Sequence, residues 1–114
     1  MLLEISKTNW YSEARLQAGP LDATKASELK ASFVSFLQSD APKNLFLHLD
    51  QCQHCDINGI SALHFGQRLL EQVQAKLVLI GASENFKNFL AISQLSDTFL
   101  LANNPEEAQH YLKS

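Results

Sequence analysis

Residues 44–61 read NLFLHLDQCQHCDINGIS, and this stretch joins a short apolar run to the beginning of an amphipathic pattern. The run Asn44–Leu49 has the length and composition of a buried strand. A second run of the same kind, Lys76–Gly81, predicts the next strand along the chain. Between the two runs, apolar residues recur at the spacing of one helix face, which predicts a strand–helix–strand unit. These apolar positions are Ile60, Leu63, Leu70 and Val73.

The residues before this unit predict a β-hairpin. Leu3 and Ile5 alternate with polar neighbours, and Thr8-Asn9 is typical of a turn. Alternation resumes over residues 10–18, and a period of two residues indicates a half-buried strand. The side chains expected on its buried face, with the tryptophan in the core, are Trp10, Ala14, Leu16 and Ala18.

One helix is predicted before the central unit, and a helix, a strand and a helix are predicted after it. Asp22 is typical of a helix N-cap, and the helix that it begins ends before Asp40. Ser83 precedes another helix, Thr98–Leu101 indicates a strand, and Asn104 caps a last helix that has a proline at its first position. The residues expected to face the core are Ala26, Leu29, Phe33, Phe36 and Leu37 in the first of these helices, and Phe86, Phe89 and Leu90 in the second.

This order of elements predicts an α/β fold. Two strands followed by alternating helices and strands are typical of a largely parallel sheet covered by helices. We therefore expect a mixed, mostly parallel sheet with an N-terminal β-hairpin, about four helices and right-handed crossovers. The length suits one hydrophobic core, so residues 1–114 are expected to form a single domain.

Composition and charge exclude several classes of function. The 114 residues include nine Lys and Arg against twelve Asp and Glu, a formal net charge of −3. Because neither half of the chain contains a basic block, the chain is not expected to bind nucleic acid or an anionic membrane. No apolar run is long enough to span a bilayer, and the first residues lack the pattern of a secretory signal. We therefore expect a cytoplasmic protein with no direct membrane insertion.

The pair Cys52 and Cys55, with His48 and His54 nearby, suggests a metal or redox site at first sight. A structural zinc site needs four ligands, and neither His64 nor His110 completes the usual spacing. A free cysteine commonly behaves as a small buried apolar residue, which is our expectation for both thiols. The chain also lacks a glycine-rich phosphate loop. We predict no metal, no cofactor and no enzymatic activity.

The segment that follows the strand Asn44–Leu49 is where function is expected. In open α/β sheets, binding sites lie beyond the carboxyl ends of the strands. This segment also leads into a helix N-terminus, where free N–H groups and the helix dipole favour negative charge. Its last residues are Asp56, Ile57, Asn58, Gly59, Ile60 and Ser61.

Residues 56–60, Asp-Ile-Asn-Gly-Ile, resemble the Asp-Ser-Ser-Gly-Leu signature of the STAS domain family. This family includes anti-sigma-factor antagonists and the cytoplasmic tails of sulfate transporters. Four other stretches resemble conserved segments of the family in the same order, so the resemblance covers nearly the whole chain. They are Leu16–Asp22, Leu77–Gly81, Leu95–Phe99 and Pro105–Ala108.

The resemblance implies that Asn58 occupies a phospho-acceptor position. In the antagonists, a partner kinase that is also the anti-sigma factor phosphorylates the second serine of the signature. The added charge, about −1.5 to −2, then ends the association. Here Asn58 stands at that serine and Ile57 at the serine before it. An amide cannot be phosphorylated, and Ser61 is a weak substitute acceptor.

Three interpretations of Asn58 remain open. Asparagine is a strong N-cap, so this residue could simply hold the start of the helix. It could instead fix the domain in its binding-competent state, as an unswitched adaptor. Thirdly, the amide nitrogen of Gly59 could attack the Asn58 side chain and slowly convert it to an acid.

The resemblance favours a protein-binding module whose contact surface is residues 56–61 and the exposed face of the following helix. The expected partner is an anti-sigma factor kinase. One alternative is an ABC ATPase, with the chain as the STAS subunit of a phospholipid-trafficking ABC transporter. Another is a domain that binds a small molecule or nucleotide at the helix start. A homodimer in which Trp10 contributes a contact also remains open.

Overall fold

The computed structural model of the chain describes residues 3–7, 10–52 and 54–112, with side chains from Trp10 onward. The predicted turn Thr8-Asn9 lies outside these residues. In chain order the elements are β1 (Leu3–Lys7), β2 (Ser12–Leu16), α1 (Ala23–Leu37), β3 (Leu45–His48), α2 (Ile57–Glu71), β4 (Leu77–Ile80), α3 (Glu84–Ile92), β5 (Leu100–Ala102), α4 (Pro105–Gln109) and a 3-10 helix (His110–Leu112).

The five strands form one sheet in the order β1-β2-β3-β4-β5. β1 pairs with β2 antiparallel, and every later pair is parallel. Consecutive parallel strands are neighbours, so right-handed crossovers place the three connecting helices on one face of the sheet. The predicted α/β fold with a mixed, mostly parallel sheet, an N-terminal hairpin and four helices is confirmed.

The main hydrophobic core lies between that face of the sheet and the helices. Leu47 and Leu79, on adjacent strands, are fully buried and belong to the same cluster as Phe33 of α1 and Leu63 of α2. Burying a side chain of this size contributes about 1.5–3 kcal/mol. A smaller cluster on the opposite face includes Phe46, Val78 and Ile80 of the strands and Ala108 of α4.

Helix starts follow the capping residues that the sequence predicts. The Asp22 carboxylate accepts hydrogen bonds from the backbone N–H groups of Thr24 and Lys25, at 3.1 and 3.3 Å. The Ser83 hydroxyl accepts one from Phe86 N at 3.1 Å, and the Asn104 side chain accepts one from Glu107 N at 2.8 Å. Each bond satisfies a backbone donor that has no partner within the helix.

Two features of the hairpin strand correct the sequence prediction. Trp10 is 75% exposed rather than part of the core, and Ala18 is exposed as well. Buried and more exposed side chains alternate only from Ser12 to Leu16, which is the segment of β2 that pairs with neighbouring strands. Trp10 and Ala18 lie outside the paired segment, so their place in the alternation does not bury them. Tyr11, next to that segment, is half-buried and stacks on Phe46 with the ring centroids 4.2 Å apart.

The apolar stripe of α2 also ends earlier than predicted. Ile60, Leu63 and Leu70 are buried, but Val73 is 47% exposed. α2 ends at Glu71, and Gln74 has a positive φ of 62°. The chain therefore turns away from the helix axis before Val73 could continue the buried face.

Candidate docking site at the start of α2

The start of α2 lies beside the start of α1. Leu21 and Cys55 form an isolated parallel bridge just before the two helices. Leu21 N donates to the His54 carbonyl at 2.8 Å, and Asp56 N donates to the Leu21 carbonyl at 3.2 Å. The bridge fixes the segment that follows β3 against the segment that precedes α1. The two helix N-termini are therefore adjacent at one edge of the sheet.

Asp56, not Asn58, is the N-cap of α2. The Asp56 backbone is extended, and its Oδ1 accepts a hydrogen bond from the Gly59 N–H at 3.1 Å. The interpretation of Asn58 as the cap is therefore wrong. Asn58 is the second residue of the helix, and its side chain is exposed. Since the cap is supplied by another residue, the amide of Asn58 is available for contacts outside the chain.

Gly59 is required by the close approach of the segment before α1. A Cβ on Gly59 would lie 2.5 Å from the Leu21 carbonyl oxygen and 2.6 Å from Cys55 Sγ. Real Cβ atoms do not approach other atoms this closely, and the Leu21 carbonyl already belongs to the bridge. Glycine therefore allows the two helix starts to lie side by side.

The six residues of the predicted contact segment divide into two sets. Gly59 and Ile60 are buried, and they hold the helix against the core. The other four are exposed, and Ile57 has 62% of its surface accessible. The part of the segment at the surface thus consists of Asp56, Ile57, Asn58 and Ser61.

The surface at this helix start combines a neutral amide with an apolar side chain. Apart from the Asp56 cap, the first turn of α2 carries no acidic residue. A negative charge is favoured at a helix N-terminus, but Asp56 already supplies one. An exposed apolar side chain beside an uncharged amide is compatible with contact with a protein surface, because charged residues are depleted at the centres of protein interfaces.

The thiols of Cys52 and Cys55 lie under this segment. Both cysteines are buried, and their Sγ atoms lie 3.4 Å and 3.6 Å from the carbonyl oxygens of His54 and Asp56. Burial, with smaller contributions from Cys52 and Asp56, raises the pKa of the Cys55 thiol to about 12. Burial also raises the pKa of Cys52, although backbone hydrogen bonding with Leu21, the nearby charge of Lys25 and backbone hydrogen bonding with His54 oppose the shift. A thiol held neutral is a poor nucleophile and metal ligand.

The described part of the chain contains no group of three His, Cys, Asp or Glu side chains that could hold a metal ion. It also contains no helix long and apolar enough to cross a membrane.

The chemical interpretation of Asn58 receives no support from the geometry. Attack on its side chain needs the backbone nitrogen of Gly59 as nucleophile. The N–H of Gly59 donates to Asp56 Oδ1, and the segment is helical. The nitrogen is thus engaged in the cap, and its approach to the side chain would require the first turn to open.

The importance of Leu21 at this site was not predicted from the sequence. Leu21 is buried, bridges to Cys55 and would contact any side chain at position 59. Neither periodicity nor composition signals a bridge between two segments that lie 34 residues apart. Only the resemblance of both segments to conserved stretches of one family indicated that they matter.

Comparisons with known proteins agree with this fold. Solved structures of several proteins match over nearly the whole chain, and three of them are representative. They are the Bacillus anti-sigma factor antagonist SpoIIAA in its unphosphorylated form (18% identity, 98% of this chain and 97% of that one, TM-score 0.77), a putative anti-sigma factor antagonist from Thermotoga maritima (15%, 98% and 95%, TM-score 0.81) and a sulfate transporter family protein from Wolinella succinogenes (20%, 95% and 88%, TM-score 0.71).

At these sequence identities, the structural similarity shows a shared fold and no more. No curated protein sequence matches the chain. The pattern of conserved positions that defines the STAS domain matches residues 17–108. That range includes α1, the bridge at Leu21, the whole contact segment and the last strand. The chain belongs to the STAS domain family.

Proposed function

We propose that the chain is a non-enzymatic protein-binding module that docks on a regulatory kinase acting as an anti-sigma factor. The docking surface is the start of α2, at Asp56, Ile57, Asn58 and Ser61, supported from below by Gly59 and Ile60. The observation that carries the proposal is the exposed side chain of Asn58 in the first turn of α2. The proposal also places the chain in the cytoplasm, where such a partner acts.

The asparagine makes this module a docking partner without the usual switch. A phosphorylated serine at the same position would add a charge of about −1.5 to −2 to a surface that had docked neutral. Asn58 keeps a small polar group there and cannot accept phosphate. The domain therefore stays in the state that binds. This property suits a partner with which the domain forms a lasting complex.

An ABC ATPase is the second candidate partner because it matches that permanence. A subunit of a transporter complex needs a constant contact rather than a reversible one. A small anionic ligand at this helix start is less well supported. The carboxylate of Asp56 already accepts the Gly59 N–H, so a bound phosphate or carboxylate would meet a like charge at the positive end of the dipole.

Site-specific photo-cross-linking tests the proposal. A photoreactive amino acid replaces Asn58 in cells of the source organism, and mass spectrometry identifies the cross-linked protein. The control carries the same group at Glu106, which is exposed on α4 against the opposite face of the sheet. We expect one dominant product from position 58 and none from position 106. A kinase-fold protein would support the anti-sigma assignment, and an ATPase would identify the transporter alternative.

Two results would contradict the proposal. Equal cross-linking from both positions would remove the start of α2 as the docking surface. A cross-link from position 58 to a second copy of the chain alone would make the surface a homodimer interface. A complementary experiment restores the acceptor with Asn58→Ser. Incorporation of phosphate by the captured kinase would support the anti-sigma assignment, and absence of labelling would contradict it.

A further inference from the structure

A groove of about 350 Å³ at the surface is lined by residues of α1 and α2. Lys30 contributes from α1, and His64, Phe65, Arg68 and Leu69 contribute from α2. The exposed face of α2 belongs to the contact surface predicted from the sequence, but no pattern predicts a groove with Lys30, because Lys30 and Arg68 are distant in sequence and each alone is an ordinary surface cation.

The charge of the groove is opposite to that of the chain. The whole chain has a formal charge of −3, but no described residue lining the groove carries a carboxylate. Elsewhere in the described residues, Arg15 pairs with Asp50 at 2.7 Å and Lys87 with Glu84 at 3.8 Å. Lys30 and Arg68 form no such pair with another described residue. Two cations thus face the groove without an ion pair to any carboxylate of the described residues.

The floor of the groove is apolar. Phe65 and Leu69 are half-buried and pack against the main core. The Lys30 ammonium lies 5.9 Å from the centre of the Phe65 ring, within cation–π range. The groove therefore offers cations along an apolar strip, and its complement is a segment with carboxylates beside apolar side chains.

The groove continues the docking surface at the start of α2. Ser61 belongs to both. Asn58, Ser61, Phe65 and Arg68 follow one another at intervals of three or four residues, which places them along one face of the helix. A partner seated on Asn58 therefore reaches the cations of the groove by extending along α2.

We propose that this groove receives an acidic amphipathic segment of the partner protein. Its carboxylates pair with Lys30 and Arg68, and its apolar side chains contact Phe65 and Leu69. The inference deepens the proposed function and rests on it for a protein as the occupant. A small anion is disfavoured because both cations sit on long side chains at an open surface, whereas an extended segment contacts both and the apolar strip together.

A peptide titration tests the groove directly. The probe is a synthetic peptide of about 16 residues in which Glu and Leu form an acidic amphipathic helix, followed by NMR of the labelled protein. The matched probe replaces every Glu with Lys. We expect the acidic peptide to shift the amide signals of residues 61–72 and of Lys30. The basic peptide should leave them unchanged, and raising NaCl from about 50 to about 300 mM should weaken the acidic peptide severalfold.

Charge-matched variants distinguish binding in the groove from a general effect of the net charge of the chain. Lys30→Gln combined with Arg68→Gln should weaken the acidic peptide about tenfold. Arg15→Gln combined with Lys87→Gln removes the same charges elsewhere and should change affinity less than about twofold. Failure of the acidic peptide to bind, equal binding of the basic peptide, or an equal loss in both variants would overturn the proposal. So would binding of inorganic phosphate as tight as that of the peptide.

The peptide experiment and the cross-linking experiment fail independently. Cross-linking from position 58 needs neither Lys30 nor Arg68. Cross-linking without peptide binding would therefore refute the groove alone, and peptide binding without a cross-linked protein would refute the proposed function alone.

Discussion

Replacing Gly59 with alanine is the perturbation whose outcome depends most on the bridge between the two helix starts. At a free helix position, Gly→Ala stabilises by about 1 kcal/mol, because alanine has the higher helix propensity. At Gly59 the new Cβ would lie 2.5 Å from the Leu21 carbonyl oxygen, 2.6 Å from Cys55 Sγ and 2.8 Å from Leu21 Cγ. The propensity gain and the steric cost therefore oppose each other.

The steric cost wins because its main contact is with backbone. The Leu21 carbonyl accepts the Asp56 N–H, and Leu21 N donates to His54. Moving Leu21 aside would weaken both bonds, and inserting a methyl group into a packed site costs about 1–3 kcal/mol, occasionally more. Three contacts below 3 Å, one of them with backbone, put Gly59 in the upper part of that range, at about 2–3 kcal/mol. After subtraction of the propensity gain of about 1 kcal/mol, we expect Gly59→Ala to destabilise the chain by about 1–2 kcal/mol. For a domain of this size that lowers Tm by roughly 4–10 °C.

Urea unfolding followed by circular dichroism measures this change. The control is Asn58→Ala, next to Gly59 in the same turn, where the side chain is exposed and is not the cap. We expect the control to alter stability by less than about 0.5 kcal/mol. If Gly59→Ala were instead stabilised by about 1 kcal/mol, as at a free helix position, the close approach of Leu21 would be refuted.

Four further outcomes are expected from the described contacts. At pH 8, iodoacetamide should modify Cys52 and Cys55 far more slowly in the folded chain than in urea, and rapid labelling of the folded chain would contradict their burial. The pKa of Cys55 is raised from an ordinary 9.0 to about 12 in the folded state. The contribution of Cys55 to stability is therefore complete below pH 9 and falls as the pH rises towards 12. Urea midpoints measured at increasing pH should show this fall, and midpoints that do not change with pH would contradict it. Trp10, the single tryptophan and 75% exposed, should emit at nearly the same wavelength before and after unfolding, and a large red shift on unfolding would place it in the core. Asn104→Ala removes the cap of α4 and should cost about 1 kcal/mol in urea unfolding, whereas no change would mean that water satisfies the Glu107 N–H equally well.

Helix caps and apolar runs predicted the fold because each depends on interactions between residues that are close in the sequence. The caps at Asp22, Ser83 and Asn104 satisfy donors two or three residues away, so their effect is visible in the sequence. The buried strands Leu45–His48 and Leu77–Ile80 are short apolar runs, and burial on both faces produces that pattern. Trp10 was misplaced because alternation does not tell where the pairing of a strand begins.

The site was predicted in position but not in its internal arrangement. Asp56 and Asn58 are both good caps, and the sequence offers no means of choosing between them. Which of the two residues is the cap depends on where the helix begins after the bridge between Leu21 and Cys55. The exposed face of α2 was predicted as part of the contact surface, but the groove was not, since Lys30 and Arg68 line one groove only when α1 packs against α2.

Asn58→Asp tests the central claim most directly, because it adds one charge to the docking surface without altering the fold. At a helix N-terminus the charge should leave stability unchanged or raise it by about 0.3–1 kcal/mol. The matched control is Asn88→Asp, an exposed asparagine within α3. Affinity for the protein cross-linked from position 58 is measured by isothermal titration calorimetry. We predict that Asn58→Asp weakens binding more than about tenfold, as expected for a charge buried without a partner, and that Asn88→Asp leaves it unchanged. Unaltered affinity in a folded Asn58→Asp variant would contradict docking at the start of α2.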